Sequence, residues 1–435
     1  MQITEPEKKI PVFKVADVVV AGGGPAGLMA AVACARNNVK PVLVERYGFL
    51  GGMATASLVG PFSSFAIGGE RIIGGIPWEF VCRMREREGV LIIEGMGNVA
   101  FDPEVVKIVA QKMLEEEKCD IFLHSLVAAA ITEDGEIKGI IIENKSGRQA
   151  ILGKLVIDAT GDADVAHFCG AEYEKSSKLQ PMSLCFRMGG VDTDNLSDLF
   201  LGSDRKRSPQ GVNVRIRKKM IPAYRKGELP LFGGPWICYG STVRKGEVSL
   251  NVTRIPGDAT NVVDITRAEL KAREDMQRIA EFLKKNFTPF RNSFIIDSGT
   301  QIGVRETRRI RGEYVLTAKD ILSHTRFPDS IAQGCHPIDI HSPESENQKL
   351  VHLKEPYSIP YRCMIPEKME NLIVTGRAIS TTEKAFASVR VQGTCMALGQ
   401  AAGCAAALCV RQGTTPRKLK VKLLQERLED QGARV

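Results

Sequence analysis

The sequence predicts an α/β fold in which an open-sheet domain with a β-meander is interrupted by an inserted α+β domain and completed by the C-terminal end of the chain. Three observations predict it. A glycine turn, "GGGPAG", joins a valine run to an alanine-rich run. Two later apolar runs, in "KLVIDATGDADVA" and "NLIVTGRAIS", end in small-residue turns of the same kind. The segment between those two changes character and alternates like a sheet of its own.

Taken in order, Val18 to Ala21 read as a fully buried strand and Leu28 to Arg36 as a helix whose alanines let it lie close to its neighbours. The turn between them matches G-x-G-x-x-G. Gly22 allows the turn, Gly24 lets a pyrophosphate approach the main chain beside Pro25 and Ala26, and Gly27 lets helix and strand pack closely. The helix N-terminus then offers free N–H groups to the anion. A second strand, "PVLVE", ends in Glu45, 18 residues beyond Gly27, where a carboxylate can bond a ribose diol and would repel a 2′-phosphate. This Rossmann-type unit disfavours NADP and leaves FAD and NAD open. Beyond it, "FDPEVVKIVAQKMLEEEKCD" predicts a helix capped by Asp102. The runs "DIFLHSLVAAAI", "IKGIIIEN" and "AILGKLVIDAT" predict an antiparallel meander.

From about Ala171 to Lys354 the inserted domain carries the alternating strand "EVSLNVTRI". It also carries a helix with a capping box at Thr266 and Glu269 and an apolar face of Ala272, Met276, Ile279, Ala280 and Leu283. The expected domains are 1–170, the nucleotide-binding part; 171–354, the substrate or cap domain; and 355–435, which returns to the first with a buried strand and a small-residue helix ended by Gly413. That return favours a flavin over NAD, because a flavin ring extending across the sheet needs walls from distant segments. No other strand carries a second G-x-G-x-x-G, so a separate nicotinamide domain is not expected.

Composition bounds the rest. The 435 residues are 43% hydrophobic and 25% charged, as in an ordinary globular chain, and a net charge of +8 without a basic block gives no reason to expect a nucleic-acid partner. The N-terminus lacks a secretory pattern, and Met396 to Val410 is read as too short for a bilayer, so a cytoplasmic protein with no membrane partner is expected. A homo-oligomer stays open. The 11 cysteines include no C-x-x-C, which argues against a metal site or disulfide scaffold, and Cys404 and Cys409 point about 140° apart on a helix.

The set "AGGGPAGLMAAVACAR", "VERYGFLGGMAT", "FDPEVVK", "VIDATGDADVA", "GVRETRRIRGEYVLT", "HPIDIH", "SIPYRCMIP" and "NLIVTGRAISTTEKAFASVRVQGTCMALGQAAG" resembles the FAD-dependent oxidoreductases of bacteria and archaea, relatives of the glutathione-reductase-type flavoproteins. The resemblance covers about Val15 to Arg411. It implies non-covalent FAD, with the adenosine ribose on Glu45 beside Arg46, the pyrophosphate at Gly22 to Gly27, and the flavin ring near "LGGMAT" and "GRAIS". Two relatives fit less well. Heterodisulfide-reductase flavin subunits carry cysteine clusters absent here, and glucose-inhibited-division-type tRNA-modifying proteins have a longer helical C-terminal domain.

Within that frame Gly51, Gly52 and Met53 are candidate cofactor contacts, the alternative being a flexible loop. Asp162 either bonds a ribityl hydroxyl or caps the helix that follows it. Gly376 and Arg377 fall where related flavoproteins have Gly-Asp, so Arg377 departs from the pattern. The run Arg305, Arg308, Arg309 and Arg311 is either an ion-pair network or an arginine clamp on an anionic substrate. His336 and His341, with Asp339, are candidates for a base that takes a proton while a hydride passes to flavin N5, or else satisfied core histidines. An extended "HPIDIH" would put Asp339 and His341 on one face and His336 on the other. Tyr357, Tyr361 and Arg362 are weaker candidates. The expected function is FAD-dependent hydride transfer to or from a small organic substrate, which an arginine clamp would make an anion. The alternatives are a tRNA-modifying flavoprotein and a flavin-carrying electron-transfer subunit.

Overall fold

The computed structural model describes residues 3–4, 6–93, 97–196, 211–237 and 243–435. Its largest sheet is built on the strand Val12–Ala21, which pairs in parallel with Pro41–Val44 on one side and Gly147–Asp158 on the other. Asp120–Phe122 extends the first side and Leu372–Val374 joins the second, both in parallel. Side chains of these strands are apolar in unbroken runs because both faces are covered. Val18, Val20, Leu43 and Ile157 face one core, while Val19, Val42, Val44 and Val156 face another.

The strand Gly147–Asp158 has two roles. Its first half pairs antiparallel with Glu136–Asn144, which pairs with Leu126–Glu133 as the meander, and its last residues, Val156 to Asp158, pair in parallel with Leu372–Val374. The stretch "DIFLHSLVAAAI" is two strands rather than one, broken where His124 adopts φ +52°.

The helix Pro25–Arg36 packs against the late helix Gln392–Gln412. A methyl group on Gly399 would lie 2.1 Å from the Ala26 carbonyl oxygen, and one on Gly403 would lie 2.2 Å from that of Ala30. Only hydrogen at those positions lets the two backbones meet. The late helix is longer than the apolar run Met396 to Val410 suggests. Its 21 residues match a membrane span in length and apolarity, but 83% of its apolar window is buried within the fold, Cys404 and Cys409 included.

The inserted region forms an antiparallel sheet in the order Phe232–Ile237, Val248–Thr253, Phe186–Gly189, Phe294–Ser298. The helix Val262–Asn286 covers it and buries the predicted face of Ala272, Met276, Ile279, Ala280 and Leu283. The predicted capping box is corrected. Asn261 caps this helix, its side chain accepting from the N–H groups of Val263 and Asp264, while Thr266 sits a turn inside and bonds back to the Val262 carbonyl. Glu269 instead accepts from the Ile302 N–H at 2.6 Å.

The apolar core of the inserted region runs from Met182 to Val304. Leu316, Ile331 and Ile338 pack into the first core, and Ser330–Gly334 pairs with Tyr357–Pro360, so the chain rejoins the first domain well before residue 355.

Candidate functional site

The parallel strands end in step. The N–H of Glu45 bonds the Phe122 carbonyl, Gly22 bonds Val44, Ala159 bonds Ala21 and Thr375 bonds Asp158, at 2.8 to 2.9 Å. The loops that follow therefore lie in a row along the carboxyl edge. The chain reverses direction of sheet growth between Val12–Ala21 and Gly147–Asp158, and it is at such a point that open α/β sheets hold ligands.

The glycines of the first loop have separate reasons. Gly22 has φ +102°, and a methyl group on it would meet the Ala159 carbonyl oxygen at 2.5 Å. A methyl group on Gly27 would lie 1.8 Å from the Gly22 oxygen. Gly24 differs, since its nearest atom would be Gly52 Cα at 3.8 Å. Nothing in the fold demands glycine there, and the space in front of it is open to a ligand. Gly24 is also the N-cap of Pro25–Arg36, with Pro25 in the first turn and no side chain capping the N–H groups. Gly51 and Gly52, both at positive φ, bring the next loop against the first, with the Gly51 N–H on the Gly23 carbonyl at 2.9 Å.

Glu45 is buried at the end of its strand, where its carboxylate accepts from the N–H groups of Gly23 at 2.7 Å and Tyr47 at 3.0 Å. Burial raises its pKa above the ordinary carboxylate value. Arg46 and Tyr47 both bond Gln301 of the inserted region. Gly22, Gly24, Pro25, Ala26, Glu45, Arg46, Gly52, Met53, Gly376 and Arg377 line one continuous cleft. Gly27 and Gly51 lie behind it.

Asp162 is not a helix cap. The following helix, Asp164–Phe168, is held by Thr160, whose hydroxyl accepts from the Asp164 N–H, and by Asp158, which accepts from Ala166. Asp162 instead accepts from the Thr307 hydroxyl and from Arg377, both at 2.6 Å. Burial would raise its pKa, but the Arg377 charge and these bonds hold it below the ordinary value. The departure at Arg377 is thus balanced across the cleft. Its Nε is buried without an acceptor, and the Gln392 Oε1 is buried without a donor, among the described residues.

A second cavity of about 460 Å³ adjoins the cleft and shares Met53, Arg377, Arg390 and Gln392 with it. The inserted sheet supplies Asn251, the segment leading into it Ser183 and Cys185, and Arg305, His336, Asp339 and His341 complete the polar part of the wall.

The arginine run divides. Arg308 bonds the Asp162 carbonyl and Asp164, Arg309 pairs with buried Glu306, and Arg311 is an exposed partner of Glu172 and Glu367. Only Arg305 reaches the cavity. It donates to the Pro181 carbonyl at 2.6 Å, the Ser183 hydroxyl at 2.7 Å and the Asn251 Oδ1 at 2.9 Å. Burial, then the charges of Arg390 and Arg254, lower its pKa to about 9, which leaves it charged at neutral pH.

His336, Asp339 and His341 all line this cavity, because His336 precedes the strand Ile338–His341 rather than alternating within it. His341 is engaged at both nitrogens. Arg254 can only donate, so Nδ1, 3.0 Å from it, is the acceptor, and the proton sits on Nε2, which donates to Asp339 at 2.9 Å. His336 Nδ1 faces the Pro337 carbonyl at 2.8 Å and therefore carries the proton, leaving the Nε2 lone pair to the cavity. Burial is the first cause that pushes both histidines down, to about 4 for His336 and about 3 for His341, and both are neutral. Despite its burial, Asp339 is held far below the ordinary range by His341 and Arg390. No group of three His, Cys, Asp or Glu among the described residues is placed to hold a metal.

Tyr357, Tyr361 and Arg362 lie elsewhere, the tyrosines in the core bonding Ser388 and the Pro416 carbonyl and Arg362 pairing with Asp329. Sequence reasoning missed Ser183, Asn251, Arg390 and Gln392. Each is an ordinary polar residue whose role comes from distant segments, so no local spacing marks it.

A family model described as FAD dependent oxidoreductase matches residues 17–428. Among curated proteins, the digeranylgeranylglycerophospholipid reductase of Thermoplasma volcanium is 24% identical over 204 residues, 43% of this chain and 50% of that protein. Its namesake from Methanocaldococcus jannaschii is 26% identical over 246 residues, 48% of this chain and 58% of that protein. The chain spans about half the length of the curated relatives it matches. Among solved structures, a geranylgeranyl bacteriochlorophyll reductase-like protein from Thermoplasma acidophilum aligns with 97% of this chain and 84% of its own, at 12% identity and a TM-score of 0.49. The p-nitrophenol 4-monooxygenase of Pseudomonas putida aligns with 96% of this chain and 85% of its own, at 12% identity and a TM-score of 0.48.

Proposed function

The chain belongs to the FAD-dependent oxidoreductase family, and from that premise we propose that it passes a hydride between FAD and a small polar substrate held in the cavity beside the inserted sheet. FAD suits the residues present. The open approach to Gly24, the uncapped helix behind it and the buried Glu45 suit a pyrophosphate and a ribose. The unpartnered Arg377 Nε and Gln392 Oε1 suit a ligand with both acceptors and donors. Bound there, FAD supplies a two-electron carrier able to take up or return a hydride.

The observation that carries the reading is the wall shared by cleft and cavity, since Met53, Arg377, Arg390 and Gln392 face both. A cofactor seated in the cleft therefore meets a substrate in the cavity without crossing solvent. In this reading His336 is the base. Its Nε2 lone pair can accept the proton of a substrate O–H or N–H, and its neutral state is held by burial. His341 is a positioning residue, since protonating Nδ1 would displace Arg254 from it. The phospholipid in the relatives' names is not carried over, because the chain spans about half of their length; the cavity wall itself sets polar Arg305, His336, Asp339, His341 and Asn251 beside apolar Val59, Trp236, Leu350 and Leu353.

The visible spectrum of purified protein, followed by anaerobic mixing with small alcohols, hydroxy acids and amines, tests the reading. Bleaching of a stoichiometric flavin by one of these classes is expected. A flavin reduced by no small molecule and only by a protein partner would leave an electron-transfer subunit in its place.

A further inference from the structure

The charges around the cavity do not balance. Arg305 is bonded by a carbonyl, a hydroxyl and an amide, and none of these is anionic. Arg254, fully buried behind His341, donates to the carbonyls of Ser342, Ser345 and Asn347 and to a neutral histidine. Glu346 lies near Arg254 but near Arg217 as well. Arg390 has Asp339, which also serves His341 and Gln348, and its Nε is buried without an acceptor. Arg305 and Arg390 on the wall and Arg254 behind it thus come together where, among the described residues, Asp339 is the one carboxylate that lines the cavity. Buried cations without a counter-charge are costly, and such an arrangement is sustained when a ligand brings the missing negative charge.

Arg305 also has donors to spare. A guanidinium carries five N–H groups, and three are taken by Pro181, Ser183 and Asn251, leaving two, the Nε–H among them. Two donors on one planar group match the two oxygens of a carboxylate. The same surplus of cations repels an ammonium group, so selection works against a zwitterion as well as for an anion.

We propose that the cavity selects small carboxylates with a neutral remainder, hydroxy acids rather than amino acids, and that Arg305 is the residue that binds the carboxylate. The proposal rests on the cavity being the substrate site. It places the neutral hydroxyl end of the molecule within reach of the polar wall that contains His336.

The test is a spectral titration of the FAD-loaded protein, reading the shift of flavin absorbance as ligand binds, with glycolate and lactate, their amides, glycine and alanine, and phosphoglycolate. The hydroxy acids are expected to bind, with the amides and amino acids at least about tenfold weaker. Arg305→Gln is expected to weaken lactate about 100-fold while FAD stays bound, since Arg305 does not line the cofactor cleft, and Arg305→Lys to recover part of the loss. Amides that bind as tightly as acids, alanine that matches lactate, a preference for phosphoglycolate, or no spectral shift with any of them would overturn the proposal. So would an Arg305→Gln protein whose lactate affinity is unchanged. If that variant fails to fold, the acid and amide comparison on the unaltered protein still decides. Hydroxy acids that bind through Arg305 but never bleach the flavin would remove the hydride reading alone. Bleaching by neutral alcohols without preference for a carboxylate would remove this proposal alone.

Discussion

Gly24 and Gly27 stand three residues apart in one loop and answer to different neighbours. Gly24→Ala is expected to leave folding intact and to weaken FAD binding at least about tenfold, because the added methyl meets no protein atom nearer than 3.8 Å but enters the open cleft. Gly27→Ala puts its methyl 1.8 Å from the Gly22 oxygen and is expected to cost about 3 kcal/mol of stability. Urea unfolding of the two FAD-free proteins, with FAD titration of each, separates the effects. His336 makes a prediction of another kind. Its pKa is lowered to about 4, so its base form persists at every pH above that value and is lost below it. Flavin reduction by a substrate that yields its proton to His336 is expected to stay level from about pH 8 to about pH 5 and to fall near pH 4. Stopped-flow reduction across that range checks it, and an acid limb near pH 6.5 would place the base elsewhere. The glycine loop was legible in the sequence because its spacing is local backbone chemistry. The pairing of Arg377 with Asp162, and of His341 with Arg254, was not, since each partner is supplied by a segment more than 80 residues away.

Among the elements, the helix Val262–Asn286 shows which part of a sequence signal survives folding. Its buried face was readable because the 3.6-residue period repeats over about four turns, from Ala268 to Leu283, whereas its start was misplaced because "TRAE" satisfies the capping pattern inside the helix. Asn261, whose side chain accepts two backbone N–H groups, is the cap. Asn261→Ala is expected to cost about 1 kcal/mol, and Thr266→Ala, at an exposed interior position, to cost less than about 0.5 kcal/mol. Denaturant midpoints for the two variants measure the difference. The first strand, turn and helix were legible as one unit because strand, glycines and acid follow each other without a gap. The meander's first strand was merged with its neighbour, since nothing in "DIFLHSL" announces that His124 turns the chain out of one ladder and into another.

At the scale of the whole molecule, the cleft proposed to hold FAD joins segments from residues 22 to 26, 44 to 53, 125 to 127, 159 to 164 and 376 to 395. Removal of FAD is expected to lower the melting temperature, the stabilisation amounting to about 2.7 kcal/mol when free FAD is a hundredfold above its Kd. Hydrogen exchange should rise at Gly22–Gly27, Ala159–Gly161 and Gly376–Arg377 on FAD removal, while strands Phe186–Gly189 and Val248–Thr253 keep their protection. The return of the C-terminal end was legible in the sequence, but the point of return was not, because the segment from Leu316 to Ile338 is coil, the five-residue helix Ala318–Leu322 and short strands, too short for a period to betray which core it joins. The forked strand Gly147–Asp158 carries a consequence for biosynthesis. Its last three residues wait for Leu372–Val374, and the helix Pro25–Arg36 waits for Gly399 and Gly403, so a growing chain exposes its glycine loop long before it can close the walls around it. Flavin capture is therefore expected near the end of synthesis, and a premature stop between the glycine loop and the late helix is expected to yield a chain that carries the motif and lacks the pocket.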